Sequence, residues 1–297
     1  MNIVIIGTGY VGLVTGVGLA SLGNNINFLD LDENKIQNLS NKKITFYEPG
    51  LEEYFNDDET FSRMFFSSDY ASIEWQNIDI VFVCVQTPNN LETNSVDTNF
   101  LESAIKEINN VNNDDLVITI KSTIPPYEIE KVCEKVGMDS NKLTFNPEFL
   151  REGTAVEDFF KPDRIVLGGT NNEKLNKLKE LYTDFDCEII ITDSISSQLI
   201  KYLANTYLPL RLSFVNEATR LIDYSGGNLD DVLKGVGLDN RIGQHYFRPS
   251  PSWGGSCFPK DLVEVNNFYD KDKLNLPLIS NIINSNDIHA DWTSENI

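Results

Sequence analysis

Histidine is nearly absent from this chain, with only His245 and His289 among 297 residues. Zinc sites and histidine bases depend on that side chain, so the base of any reaction is expected to be a carboxylate, a lysine or a water, and no metal ligand set is expected. Basic charge is also short: 24 Lys and Arg against 45 Asp and Glu give a formal net charge of −21. Such a surface repels a polyanion, which excludes nucleic acid as an expected partner and leaves any phosphate group to be held locally. No apolar run has the length of a membrane span, so no membrane partner is expected. The start, Met1-Asn2-Ile3-Val4-Ile5-Ile6-Gly7, lacks a basic n-region and reads directly as a strand, so the expected location is cytoplasmic. Cys84, Cys133, Cys187 and Cys257 are spread without close pairing, which argues against a disulfide framework and predicts reduced thiols.

The length allows two domains with sizeable cores. Over the first two thirds, short β-rich runs alternate with helical stretches, the pattern of a parallel sheet flanked by helices. The expected strands are 2–6, 25–29, 80–85, 116–120, 142–145, 164–167 and 188–191, several of them almost continuous Val and Ile as in buried parallel strands. From about Ser194 a helical periodicity runs through Leu199, Tyr202, Leu208, Leu212, Val215 and Ile222 to Gly226-Gly227. That is a helix of roughly thirty residues, longer than most, and it reads as a spine between domains or subunits. Pro209 inside it should kink or break it.

Gly7-Thr8-Gly9-Tyr10-Val11-Gly12 follows the first strand and opens an apolar helix, which is the context that a GxGxxG turn needs to cradle a pyrophosphate. Asp30 ends the second strand, where a carboxylate accepts hydrogen bonds from ribose hydroxyls. This favours NAD over NADP, with Lys35 at the cofactor's edge or in solvent. The fold class expected is α/β: a Rossmann-like doubly wound parallel sheet over 1–195, followed by an all-α central domain with the spine helix over 196–297. Two more strand ends, Thr87-Pro88 and Ser122-Thr123, should border the cofactor crevice, unless they are ordinary proline turns.

The richest stretch is Trp253-Gly254-Gly255-Ser256-Cys257-Phe258-Pro259-Lys260-Asp261. Pro259 suits a first helical turn, which puts Cys257 at a helix N-terminus with Lys260 nearby to favour a thiolate. The alternative is an inert buried cysteine. Lys201 and Asn205, four apart, share one helix face, pointing into a pocket or simply to solvent. Glu148 follows Pro147 in a loop and is otherwise a surface carboxylate.

Six motifs in this order resemble the UDP-glucose/GDP-mannose dehydrogenase family, of the UDP-glucose 6-dehydrogenase type. They are the glycine turn, Ser122-Thr123-Ile124-Pro125, Pro147-Glu148-Phe149-Leu150-Arg151-Glu152-Gly153, Leu203-Ala204-Asn205-Thr206-Tyr207, Asp239-Asn240-Arg241-Ile242-Gly243 and the Cys257 stretch. The resemblance implies NAD-dependent four-electron oxidation of UDP-glucose to UDP-glucuronate through a cysteine thiohemiacetal and thioester. It implies Cys257 as nucleophile, Lys201 with Asp261 holding a water or Lys201 itself as base, Lys201 and Asn205 as oxyanion partners, and Glu148 with Thr123 activating the hydrolytic water. It places Glu152 and Lys260 by the cofactor, and Phe149, Leu150, Arg151, Arg241, Arg248 and Gly254 with the UDP-sugar substrate. It implies a homodimer through the 196–225 helix, and a C-terminal substrate-nucleotide domain that this sequence does not contain. The alternatives are the same chemistry on GDP-mannose or a UDP-N-acetylhexosamine, a two-electron hydroxyacid dehydrogenase, or a non-catalytic NAD-binding or dimerisation module.

Overall fold

The computed structural model describes residues 1–90, 95–267 and 274–296. The chain forms two compact units, 1–88 with 96–201 and 89–95 with 202–297.

In the first unit the chain runs β1 (Asn2–Ile6), α1 (Tyr10–Ser21), β2 (Asn25–Leu29), α2 (Glu33–Ser40), α3 (Leu51–Asn56), α4 (Asp58–Ser62), β3 (Met64–Ser67) and β4 (Ile80–Val83). The pair β5 (Asn89–Asn90) and β6 (Ser95–Val96) comes next, and then the first unit resumes. It continues with α5 (Asn99–Asn109), β7 (Val117–Ile120), α6 (Pro126–Val136), β8 (Leu143–Phe145), α7 (Ala155–Phe160), β9 (Arg164–Gly168), α8 (Asn172–Glu180) and β10 (Glu188–Thr192). Eight strands make one sheet in the order β10-β9-β8-β7-β4-β1-β2-β3. Period-two alternation along β1 explains its two cores. Ile3 and Ile5 join the cluster with Leu13, Val17 and Phe28, while Val4 and Ile6 join the opposite one with Leu101, Ile105 and Ile129. Helix α1 is buried from Gly12 to Ala20, which is why it is apolar on every side instead of on one stripe.

Two sequence expectations need correction. The sheet is not uniformly parallel, because β9 runs antiparallel to β8 at Phe145↔Gly168. A parallel neighbour would have required a crossover to the far end of the sheet, whereas the 146–163 connection carries only the six-residue α7 and returns from the end at which it left. Strand β3 was not expected: the four residues Met64–Ser67, followed by Ser68-Asp69, give too short a run to stand out, and pairing with β2 supplies what local propensity does not.

The second unit takes in most of α9 (Ser194–Ser225), then α10 (Leu229–Gly237), α11 (Phe258–Asn267), α12 (Pro277–Ser280) and α13 (Ile282–Asn296). Pro209 stands inside α9, and the helix passes through it unbroken for 32 residues. The core clusters here are small, Val215, Ile222, Leu233 and Phe247 in one and Trp253, Leu262 and Ile282 in another. Buried polar anchors supplement them. Trp253 donates its Nε1–H to Ser213 Oγ at 2.8 Å and its backbone N–H to Asn286 Oδ1 at 2.9 Å, and His289 Nε2 meets Ser250 O at 2.8 Å. No described helix is long and apolar enough to cross a membrane.

Candidate active site

The glycine turn is built as its spacing predicts. Gly7 has a φ of +94°, and a Cβ added at Gly12 would meet Gly7 O at 1.9 Å, so only glycine lets α1 close onto β1. Gly9 behaves oppositely: it is exposed, and a Cβ there meets nothing within 4 Å. The fold does not need glycine at that position, but close backbone approach of a pyrophosphate does, so the turn fits the dinucleotide. Asp30 lies beside it, accepting from Thr8 N at 2.8 Å, Thr8 Oγ1 at 2.8 Å and Lys35 Nζ at 3.0 Å. Burial works against its ionisation, yet these donors and the Asp32 N–H hold its carboxyl below the ordinary aspartate range. A fixed negative charge here suits free ribose hydroxyls and opposes a 2′-phosphate. Lys35 is therefore tied to Asp30. The two strand-end loops are joined by Thr87 Oγ1 donating to Thr123 O at 2.7 Å, while Ser122 Oγ donates to Val85 O at 2.6 Å.

Glu148 and Lys201 meet in the first unit. Lys201 Nζ donates to Glu148 Oε1 at 2.7 Å and to Glu148 O at 2.8 Å, with side-chain exposures of 6% and 9%. Neither is the solvated surface group that its residue type allows. Burial opposes the charged carboxylate, but the Lys201 ammonium, the Leu150 N–H and the positive charge of Lys121 keep Glu148 below its ordinary value. Beneath this pair lies a network that sequence reasoning did not single out. Lys121 Nζ donates to Asn146 Oδ1 at 2.9 Å, Tyr182 Oη donates to the same oxygen at 2.7 Å, and Asn146 Nδ2 donates to Val166 O at 3.0 Å. Asn146 is thus fastened to β7, β9 and the segment after α8, which fixes the exit of β8 two residues before Glu148. Burial lowers the Lys121 pKa and pushes the Cys84 thiol up to about 12. A lysine directly after the apolar run of β7 was the available signal. Phe149 completes the loop, with the Arg164 guanidinium 3.7 Å from its ring centroid. Arg151 is exposed and pairs with Asp158, its Nε donating to Oδ2 at 3.0 Å. Glu152 is exposed, and Leu150 is half-buried.

In the second unit Cys257 is exposed immediately before α11, and Asp261 N donates to its carbonyl at 2.9 Å, so it caps the helix as Pro259 led us to expect. Asp261, 1% exposed, accepts from Asn205 Nδ2 at 2.6 Å, which joins α9 to α11. Lys260, expected beside the sulfur, has its ammonium held by carboxylates. Its Nζ lies 2.8 Å from Asp261 Oδ1 and 3.2 Å from Glu264 Oε1, so two carboxylates take the ammonium. Burial weakens the Lys260 charge, but those carboxylates outweigh it and raise its pKa. Glu264 also accepts from Tyr202 Oη, and burial together with Asp261 raises its pKa. Little in the local pattern marks Glu264, a carboxylate on the face that its neighbours Leu262 and Val265 bury. Arg241 is exposed and bonded to Asp239, its Nη2 donating at 2.6 Å, and Arg248 and Gly254 are exposed. Among the described residues no cluster of His, Cys, Asp and Glu can hold a metal.

Residues 1–186 match the family model described as the UDP-glucose/GDP-mannose dehydrogenase family, NAD binding domain, and 195–288 match the central domain of that family. A UDP-glucose 6-dehydrogenase of Rickettsia felis is 40% identical over 292 residues, covering 96% of this chain. The chain spans 64% of that relative's length. Among solved structures, a UDP-glucose dehydrogenase of Pyrobaculum islandicum superposes with a TM-score of 0.88 at 32% identity, covering 97% of this chain and 68% of the other. A UDP-D-ManNAc dehydrogenase of Pyrococcus horikoshii shares the fold, with a TM-score of 0.87 at 22% identity over 99% of this chain and 70% of its own.

Proposed function

The chain belongs to the UDP-glucose/GDP-mannose dehydrogenase family, and from that premise we propose that it carries the catalytic residues of an NAD-dependent oxidation of UDP-glucose to UDP-glucuronate. The observation that carries the proposal is Cys257, an exposed sulfur at the entry of α11 with a buried Asp261 bonded to Asn205 one turn behind it. An ordinary core cysteine would be buried, and a spare aspartate on a helix would face water.

The Gly7–Gly12 turn holds the pyrophosphate of NAD and Asp30 its adenine ribose. NAD, when bound, supplies the hydride acceptor for each of the two oxidations. Asp261 and Lys201 hold the water that takes the alcohol proton of the sugar's C6 hydroxyl. Cys257 adds through Sγ to the aldehyde carbon, and the Lys201 ammonium and the Asn205 amide stabilise the oxyanion that forms there. Loss of a second hydride leaves a thioester on Cys257, which keeps the sugar in place until Glu148 draws a proton from water and the carboxylate is released. The sulfur is needed for this tether, because an aldehyde that left between the two oxidations would end the reaction halfway.

A homodimer through α9 accompanies the proposal. Leu203, Tyr207, Phe214, Leu221 and Tyr224 are all more than half exposed and fall on one stripe of that helix. Phe214→Asp combined with Leu221→Asp is expected to halve the mass measured by light scattering. The activity is tested by incubation with UDP-glucose and NAD. Two NADH per UDP-glucuronate are expected, and Cys257→Ser should produce no acid. No NADH, either from the chain as it stands or from a fusion to the remaining C-terminal part of the Rickettsia felis relative, overturns the proposal.

A further inference from the structure

Glu48 lies in the loop between α2 and α3, outside every cofactor or substrate motif, yet it is only 4% exposed. Its carboxylate accepts three hydrogen bonds, from Tyr10 Oη at 2.5 Å, Gly153 N at 2.8 Å and Ala155 N at 2.8 Å. Tyr10 belongs to the glycine turn and begins α1. Gly153 and Ala155 follow Glu152 at the entry of α7. Tyr10 Oη also reaches Arg151 O at 3.2 Å, and its ring packs on Phe46 with centroids 5.3 Å apart. Two segments far apart in sequence therefore meet on one buried carboxylate that a third segment carries.

A local cap would satisfy the first N–H groups of α7 with less desolvation, but Thr154 in the cap position makes no such bond. Glu48 supplies the acceptor from elsewhere in the chain, and charge-assisted bonds at these distances are the stronger kind. Burial, followed by the bond to Glu48, keeps the Tyr10 hydroxyl protonated as the donor. Two further amides of this loop are fixed by carboxylates, Leu150 N on Glu148 Oε2 and Arg151 N on Asp158 Oδ2, each at 2.8 Å.

We propose that Glu48 is a positioning residue that fastens the loop bearing Glu148 and Glu152 to the glycine turn through Tyr10, so that filling the turn and ordering the loop are coupled. The coupling rests on the cofactor assignment of Gly7–Gly12 made above. Coupling of this kind is reciprocal: a ligand that orders Tyr10 steadies the loop, and loosening the loop weakens the ligand.

Hydrogen exchange on the whole chain, with and without NADH, tests this in Tyr10→Phe, Glu48→Gln and the double variant. Tyr10→Phe keeps the ring against Phe46 and removes only the hydroxyl. Without ligand, the amides of 153–155 should exchange about 10-fold faster in Glu48→Gln, and faster than wild type in Tyr10→Phe. NADH should slow them in the wild type and in neither variant. Its Kd should rise about 10-fold in each, with the double variant no weaker than Glu48→Gln. Wild-type exchange and affinity in Tyr10→Phe overturn the proposal, and that variant decides alone if Glu48→Gln does not fold. If the wild type binds no NADH, the cofactor assignment fails instead, and unchanged ligand-free exchange at 153–155 in Tyr10→Phe still overturns the coupling.

Discussion

Each unit buries a small ionic cluster, and the two are built with opposite charge balance. In the first, two lysines, Lys201 and Lys121, act on one carboxylate, Glu148. In the second, two carboxylates, Asp261 and Glu264, share one lysine, Lys260. Burial by itself would push Glu148 and Glu264 alike toward the neutral acid. Glu148 is nevertheless held below its ordinary value and Glu264 above it, so the ratio of cations to carboxylates decides the direction where depth does not. The difference matches the proposed chemistry. A base that must draw a proton from water has to be free of one, which the surplus of cations around Glu148 favours.

Removing the cation from either cluster tests that account most severely. Lys201→Met leaves Glu148 buried without its nearest partner, and loss of half of a buried pair costs about 3–5 kcal/mol. The check is a large fall in the urea midpoint. Lys260→Met strands two carboxylates instead of one, but Glu264 is already inclined to take up a proton and thereby relieves the repulsion. Its cost should therefore reach about 3 kcal/mol only at alkaline pH and shrink as the solution is acidified. An equal, pH-independent loss in both variants would show that the two clusters do not differ as described.

Much of this arrangement was legible in the sequence because it is local. The glycine turn, the ends of β1 and β2, the long helix and the placement of Cys257 before a helix all follow from spacing within a few residues of the motif. What escaped was decided by tertiary partners. The pairing of Lys260 with Glu264 could not be read from the sequence, because nothing local shows that Glu264, one turn further on, faces the interior. Lys121 and Asn146 form one network only because β7 and β8 are neighbours in the sheet, and Glu48 takes two of its three partners from residues more than a hundred positions away. The antiparallel β9 belongs to the same class, since direction depends on where a connection returns and not on the apolar run that forms the strand.

The response to pH separates the clusters with a smaller perturbation. Glu148 has a folded pKa below its unfolded value, about 4.3 for a free glutamate. Its contribution is therefore complete above that pH and lost as pH falls through the folded value. Glu264 has a raised folded pKa, so its contribution is complete below about pH 4.3 and lost as pH rises through the folded value. The advantage of wild type over Glu148→Gln should accordingly shrink on acidification from about pH 6 to about pH 3, a range that brackets that reference value. Read by chemical unfolding, the same titration of Glu264→Gln should run the other way, with wild type losing ground as pH rises.

The smallest expected change is the absolute stability of Glu264→Gln near neutral pH. The substitution removes the repulsion from Asp261 and the desolvation of a charge, both favourable, but it weakens the acceptor for Tyr202 Oη and leaves Lys260 with Asp261 alone. Opposed contributions of similar size should leave the urea midpoint within about 1 kcal/mol of wild type. Glu148→Gln differs because nothing in its cluster repels the carboxylate: the substitution strands Lys201 and leaves Lys121 with no carboxylate nearby, so its loss should exceed that of Glu264→Gln by about 2 kcal/mol or more. Equal losses would mean that both carboxylates serve only as hydrogen-bond acceptors and that the surplus cation of the first cluster and the surplus carboxylate of the second have no energetic consequence.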